Sequence, residues 1–112
     1  MKAPPFAYTR ARSTAELFDL MEHHGDGARM LAGGQSLIAS LNLRLSEPEI
    51  LVDITHLPGM RGIATDGATV TIGALTRHAD IASSPVVAQH LPLLAQAVAH
   101  VAHPAIRNRG TI

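Results

Sequence analysis

The segment that most restricts the fold is ARMLAGGQSLIASL, residues 28–41, followed by ILVDI at 50–54. ARML is a short strand, and Gly33-Gly34 then separates it from a polar pair. Leu37, Leu41 and Leu45 place one apolar stripe on a helix over 36–45. Pro48 divides that helix from ILVDI, whose apolar run interrupted only by Asp53 is the pattern of a buried strand. Strand, glycine pair, helix and strand predict an α/β (α+β) fold. From Met30 to Asn42 no side chain is charged. Two roles for the glycines stay open at this level. A strand-to-helix turn needs one residue at positive φ, with Ser36 capping the helix. Alternatively, a backbone without Cβ atoms approaches a phosphate closely and offers it successive N–H groups at a helix start.

The flanking sequence continues the alternation. Ser13 with Glu16 three residues later is a capping box, Leu17, Leu20, Met21 and His24 keep helical spacing, and Gly25 is placed to end that helix. THLPGM (55–60) is a connection that divides two subdomains. RGIAT and ATVTIGA flank Asp66-Gly67, which predicts a two-residue hairpin turn. TRHADIA (76–82) reads as a short helix capped by Thr76. Residues 86–102 read as mostly helical, with Pro92 starting a new segment or kinking the old one. HPAIRNRGTI (103–112) reads as loop. Asp53, at a strand end, is read as capping the THLPG turn rather than as an acid or base.

Composition removes several function classes. Nine basic residues balance nine acidic ones, so there is no electrostatic footprint for nucleic acid. Cysteine is absent, which rules out disulfides, thiolate nucleophiles and cysteine-held clusters on this chain. No apolar run approaches the roughly 20 residues of a membrane span. MKAPPFAYTR lacks a secretory h-region, and the cytoplasm is the expected location. Seven histidines invite a metal, yet no ligand spacing accompanies them. His23 and His24 are explained by the negative end of their helix or by surface exposure. No paired carboxylates and no serine–base pair stand out, so no catalytic residue is assigned. Arg107 and Arg109 are candidates for phosphate or partner contact, against the usual solvated loop arginine.

Three motifs, AGGQSLI at 32–38, VTIGALTRHADI at 70–81 and HPAIRNRGTI at 103–112, occur in this order and spacing. Together, and with VDITHLPGMRGI and FAYTRARSTAE, they resemble the FAD-binding medium subunit of the molybdenum-containing hydroxylases. That family includes carbon monoxide dehydrogenase and the bacterial relatives of xanthine dehydrogenase. The resemblance covers essentially the whole chain.

The resemblance implies the flavoprotein fold shared with vanillyl-alcohol oxidase and p-cresol methylhydroxylase, with FAD as cofactor. It implies an N-terminal FAD-binding subdomain over 1–57 and the beginning of a second, incomplete one over 58–112. The family's A-G-G-x-S-L loop wraps the FAD pyrophosphate, which carries over to Ala32, Gly33, Gly34, Gln35, Ser36 and Leu37. Its second phosphate-side loop, T-I-G-G-N, is matched by Thr111 and Ile112, where the chain stops. The chain therefore reads as the N-terminal part of a longer subunit, cut inside a cofactor loop and inactive by itself. TIGA (71–74) is a second contact toward the flavin cleft or merely a strand end. The partners implied are a molybdenum–pterin large subunit and an iron–sulfur small subunit, with electrons passing through FAD to an external acceptor. A self-contained flavin oxidase of the same fold, or a cofactor-free binding or assembly module, are the alternatives.

Overall fold

A computed structural model describes all residues from Met1 to Ile112. The chain divides into two compact units, Met1–Pro58 and Gly59–Ile112.

The first unit is built on a three-stranded parallel sheet with strand order β1-β3-β2. Its strands are β1 (Ala7–Arg10), β2 (Ala28–Leu31) and β3 (Ile50–Asp53), and every residue of β3 is buried. A central parallel strand is covered on both faces, which is why ILVD is continuously apolar up to its last residue. The sequence reading missed β1, which lies within the stretch assigned to the first helix and its approach. As an edge strand it is mostly exposed and has no apolar alternation. Tyr8 and Thr9, both good strand formers, were its only signal.

Helix α1 (Thr14–His24) packs on β2 and β3. Its cap is the expected one, since Ser13 Oγ accepts from the Glu16 N–H at 3.1 Å. The return arm is displaced by one residue, the Glu16 carboxylate accepting from Arg12 N–H rather than from Ser13. Gly25 ends the helix at φ 51°. Helix α2 covers only Leu37–Asn42, not 36–45. Arg44 takes a left-handed φ of 56°. Its N–H donates to Leu41 O, and the Leu45 N–H donates to Ser40 O, at 3.0 and 2.9 Å. That is a Schellman ending with arginine where glycine normally stands, so no glycine announced it. Leu41 is fully buried, but Leu45 is 76% exposed and off the stripe.

The second unit holds the antiparallel hairpin of β4 (Ile63–Thr65) and β5 (Val70–Ile72) and four short helices. The strand ladder stops at Thr65 and Val70, so the connection is the four residues Asp66–Thr69 rather than a two-residue Asp66-Gly67 turn. Asp66 Oδ1 holds it by accepting from the N–H groups of Ala68 and Thr69 at 2.9 and 2.8 Å. Helix α3 is His78–Ala82, with Arg77 rather than Thr76 at its cap. Thr76 is instead 1% exposed. Its hydroxyl accepts from Gly62 N–H at 2.9 Å and donates to Gly62 O at 3.1 Å. Pro92 begins a new helix, so the 86–102 pattern resolves into α4 (Pro85–His90) and α5 (Pro92–Val98). A further turn of helix, α6 (Pro104–Arg107), occupies the segment read as loop. The core is Ile81, Val87 and Val98, joined by Ile63, Ile72, Leu91, Leu94 and Ala95. No helix is long and apolar enough to cross a membrane.

Candidate functional site

The loop Ala32–Ser36 leaves the carboxyl end of β2, the edge at which open parallel sheets bind ligands. Of its two glycines, Gly34 has the positive φ, 77°. A Cβ there would come within 3.2 Å of Ile38 Cγ1 and 3.5 Å of Leu31 Cδ1. The turn thus needs glycine at Gly34 for conformation and for space.

The hydrogen bonding of the loop is one-sided. The carbonyls that face α2 are engaged: Gly34 O accepts from Ile38 N–H, and Ser36 O accepts from both the N–H and the hydroxyl of Ser40. Gly33 O accepts from the Gln35 side-chain amide at 3.2 Å. Its donors are open, because no backbone N–H from Ala32 through Leu37 donates to another backbone group. Ser36 stands at the cap position of α2 but makes no side-chain capping bond, so the capping half of the simple-turn alternative is not realised and its hydroxyl is available. Consecutive main-chain donors with no charged neighbour are the chemistry that holds a di-anion. The residues present therefore fit a diphosphate.

Thr111 and Ile112 belong to the second unit. There Thr111 forms an antiparallel bridge with Arg77, and the Ile112 N–H donates to Thr76 O at 3.0 Å. The Gly110 carbonyl accepts from His78 N–H at 2.9 Å, and a Cβ on Gly110 would lie 3.1 Å from His78 Nδ1. The end of the chain is thus laid down along residues 76–78, with a tight fit between Gly110 and the His78 ring.

Two sequence candidates acquire structural explanations. Gly73 lies against the main chain of Met60 and Arg61, where a Cβ would meet Met60 O at 2.4 Å. Close backbone approach accounts for glycine in TIGA without a ligand. Arg107 does not project as a free cation. Its Nη1 faces the carbonyls of Ala99, Val101 and Ala102 at 3.5, 3.1 and 3.3 Å. It closes the end of α5, where Ala102 has φ 46°. An arginine five residues downstream of an alanine carries no sequence signal for this role.

Asp53 is 6% exposed. Its Oδ1 accepts from the Thr55 N–H at 2.8 Å and the Thr55 hydroxyl at 2.6 Å, so it caps the turn as expected. Its Oδ2 accepts from the Tyr8 hydroxyl, with Arg10 Nε 3.7 Å away. Burial alone would raise this carboxyl. The hydrogen bonds from Thr55 and Tyr8, and the Arg10 charge, outweigh it and hold the group below the usual carboxylate range. No group of three or more His, Asp or Glu side chains is arranged to hold a metal ion.

Comparison with known proteins gives the chain its family. Residues 4–112 match the family described as the FAD binding domain in molybdopterin dehydrogenase. The chain is 49% identical, over its whole length, to 38% of the 6-hydroxypseudooxynicotine dehydrogenase complex subunit alpha of Paenarthrobacter nicotinovorans. It is 46% identical, again over its whole length, to 39% of the carbon monoxide dehydrogenase medium chain of Hydrogenophaga pseudoflava. Among solved structures, 99% of the chain superposes on 39% of a chain of carbon monoxide dehydrogenase from that organism, with a TM-score of 0.95 and 46% identity. Quinoline 2-oxidoreductase from Pseudomonas putida 86 gives a TM-score of 0.92 at 38% identity, covering 99% of this chain and 39% of that one. The chain thus spans under two fifths of the length of these relatives.

Proposed function

The chain belongs to the FAD-binding domains of the molybdopterin dehydrogenases, and from that premise we propose that it serves in the electron-transfer subunit of a molybdenum-containing hydroxylase. In this reading the subunit stands between iron–sulfur clusters on a small partner chain and an external acceptor. Substrate is oxidised at a molybdenum–pterin centre on a large partner chain. The names of the relatives, subunit alpha and medium chain, support a multi-chain assembly. Bound FAD supplies the redox chemistry, which no side chain of this protein offers.

The chain's own contribution is to bind and orient. The N–H groups of Ala32, Gly33, Gly34, Gln35, Ser36 and Leu37, with the Ser36 hydroxyl, hold the pyrophosphate. Thr111 and Ile112 begin the second phosphate-side loop. Main-chain donors fixed by the sheet edge need little reorganisation on binding, which favours a di-anion over the water it replaces. The observation that carries this reading is the run of open N–H donors around Gly34.

The test is calorimetric titration of the purified full-length subunit with FAD, and with ADP as the diphosphate half alone. ADP is expected to bind and to compete with FAD. Failure of ADP to compete would place the diphosphate elsewhere.

A further inference from the structure

Of the seven histidines, His78 alone buries a side-chain nitrogen without a partner. Its Nδ1 is out of reach of water and of every donor and acceptor. A buried polar atom left unpaired is costly, and native structures keep few of them. No hydrogen bond at Nδ1 therefore places this ring. What the ring does meet is Gly110, where a Cβ would lie 3.1 Å from Nδ1 and 3.5 Å from Cε1.

The strip Thr76–His78 is a firm base. Thr76 Oγ1 bonds both main-chain groups of Gly62, and the Leu75 N–H donates to Met60 O at 2.7 Å. The end of the chain lies antiparallel against this base. Arg77 and Thr111 form the bridge. It is flanked by His78 N–H donating to Gly110 O and by Ile112 N–H donating to Thr76 O. Gly110 is thus the residue opposite His78. Side chains of an opposed pair share one face, so the His78 ring fills the place of the side chain that Gly110 lacks. An aromatic ring laid over a cross-strand glycine supplies the packing the glycine cannot.

The same register decides which donor is open. The Ile112 N–H is spent on Thr76 O, and the Gly110 N–H on Ile106 O at 2.7 Å. In an antiparallel bridge of this kind the N–H of the bridged residue points away from the partner strand. The Thr111 N–H accordingly donates to no other main-chain group.

We propose that His78 is a positioning residue for the second phosphate-side loop: its ring clamps Gly110 against the 76–78 strip and so aims the open Thr111 N–H. The proposal rests on the FAD reading of Thr111 and Ile112. A donor aimed at a phosphate must be held to within about 0.5 Å of its productive place. Glycine is the freest residue of a chain, and here it stands directly before the donor. The covering ring removes that freedom.

The experiment compares His78→Ala, His78→Phe and Gly110→Ala in the full-length subunit. ADP affinity is measured by calorimetry, and amide hydrogen exchange is followed segment by segment with and without ADP. His78→Ala keeps the main-chain bond to Gly110 O and removes the ring. It is expected to weaken ADP by about tenfold, the scale seen where a residue that orients a ligating group is lost. ADP-dependent protection of Thr111 should fall with it, while exchange in α4 and α5 stays as in wild type. His78→Phe keeps a ring without Nδ1 and should restore both ADP affinity and protection. Gly110→Ala pushes on the same contact from the other side, at a residue without positive φ. It should weaken ADP likewise, and it keeps the test open if His78→Ala fails to fold. Wild-type ADP affinity in folded His78→Ala would overturn the proposal, as would His78→Phe binding ADP no better than His78→Ala. A loss matched by faster exchange throughout α4 and α5 would also overturn it, as the mark of a merely structural residue. If ADP gave Thr111 no protection in the wild-type subunit, the FAD reading of this loop would fail by itself, before any variant is made.

Discussion

Two turns of this molecule use positive φ in opposite ways. At Gly34 the left-handed residue turns the loop carbonyls into α2 and leaves a row of N–H donors without acceptors. At Ala102 the left-handed residue turns carbonyls toward one guanidinium, and Arg107 satisfies them from within the chain. The first turn is open on its donor side. The second consumes its own acceptors. A cation near a phosphate-binding fold is readily taken for a ligand residue, and the comparison shows why that is unsafe. Here the loop rich in unpaired donors has no charge, and the arginine is spent on main-chain carbonyls.

The largest expected effect is at the first turn. Gly34→Val combines a positive φ with a branched side chain in a space already filled by Ile38 and Leu31. In the full-length subunit it should abolish FAD retention, read as flavin absorbance of the purified protein. Stoichiometric flavin in that variant would break the comparison at its root.

Next comes the second turn. Arg107→Met removes the donors facing three carbonyls and should cost about 1–3 kcal/mol of stability, measured by urea unfolding. ADP affinity should stay as in wild type. The reverse pattern, intact stability with weakened ADP, would make Arg107 a phosphate ligand after all.

Ser36→Ala sharpens the picture of the donor row. Its hydroxyl makes no capping bond, so stability should hardly change. ADP affinity should fall by roughly 1–2 kcal/mol if the hydroxyl donates to a charged oxygen.

The smallest effect concerns pH. The folded-state pKa of Asp53 is lowered. Its contribution to stability is therefore fully present above the unfolded carboxyl value of roughly 4 and is lost as pH falls through the lower folded value. Stability measured on the acid side should decline there in wild type, and this component should be missing in Asp53→Asn.

Much of the anion loop was legible in sequence because glycine and charge are one-dimensional signals. Gly33-Gly34 between a strand and a helix announced a tight turn with one residue at positive φ, and the absence of a charge from Met30 to Asn42 is what makes a main-chain site the reading proposed for it. Asp53 at the end of an apolar run announced a cap. What escaped was whatever depends on distant partners. Strand β1 has no periodicity, because its order comes from pairing with β3. The stop of α2 was hidden because Arg44 takes the place of glycine. Thr76 looked like a helix cap, yet its hydroxyl is claimed by Gly62, fourteen residues earlier. Gly73 and Arg107 likewise answer to main-chain groups that no local pattern reveals.

The strand order β1-β3-β2 also sets a schedule. Neither edge strand touches the other, and both take their ladder hydrogen bonds from β3 alone. Until Ile50–Asp53 has been synthesised and inserted, β1 and β2 have nothing to pair with, and the anion loop hangs on an unsupported strand. The Tyr8–Asp53 bond closes a span of 45 residues, so assembly of this unit waits on a non-local step of the kind that slows folding. On the proposed FAD reading of the loop, a nascent chain that has passed Leu37 but not Asp53 carries the whole loop sequence on an unsupported strand, and FAD is confined to chains whose sheet has already closed.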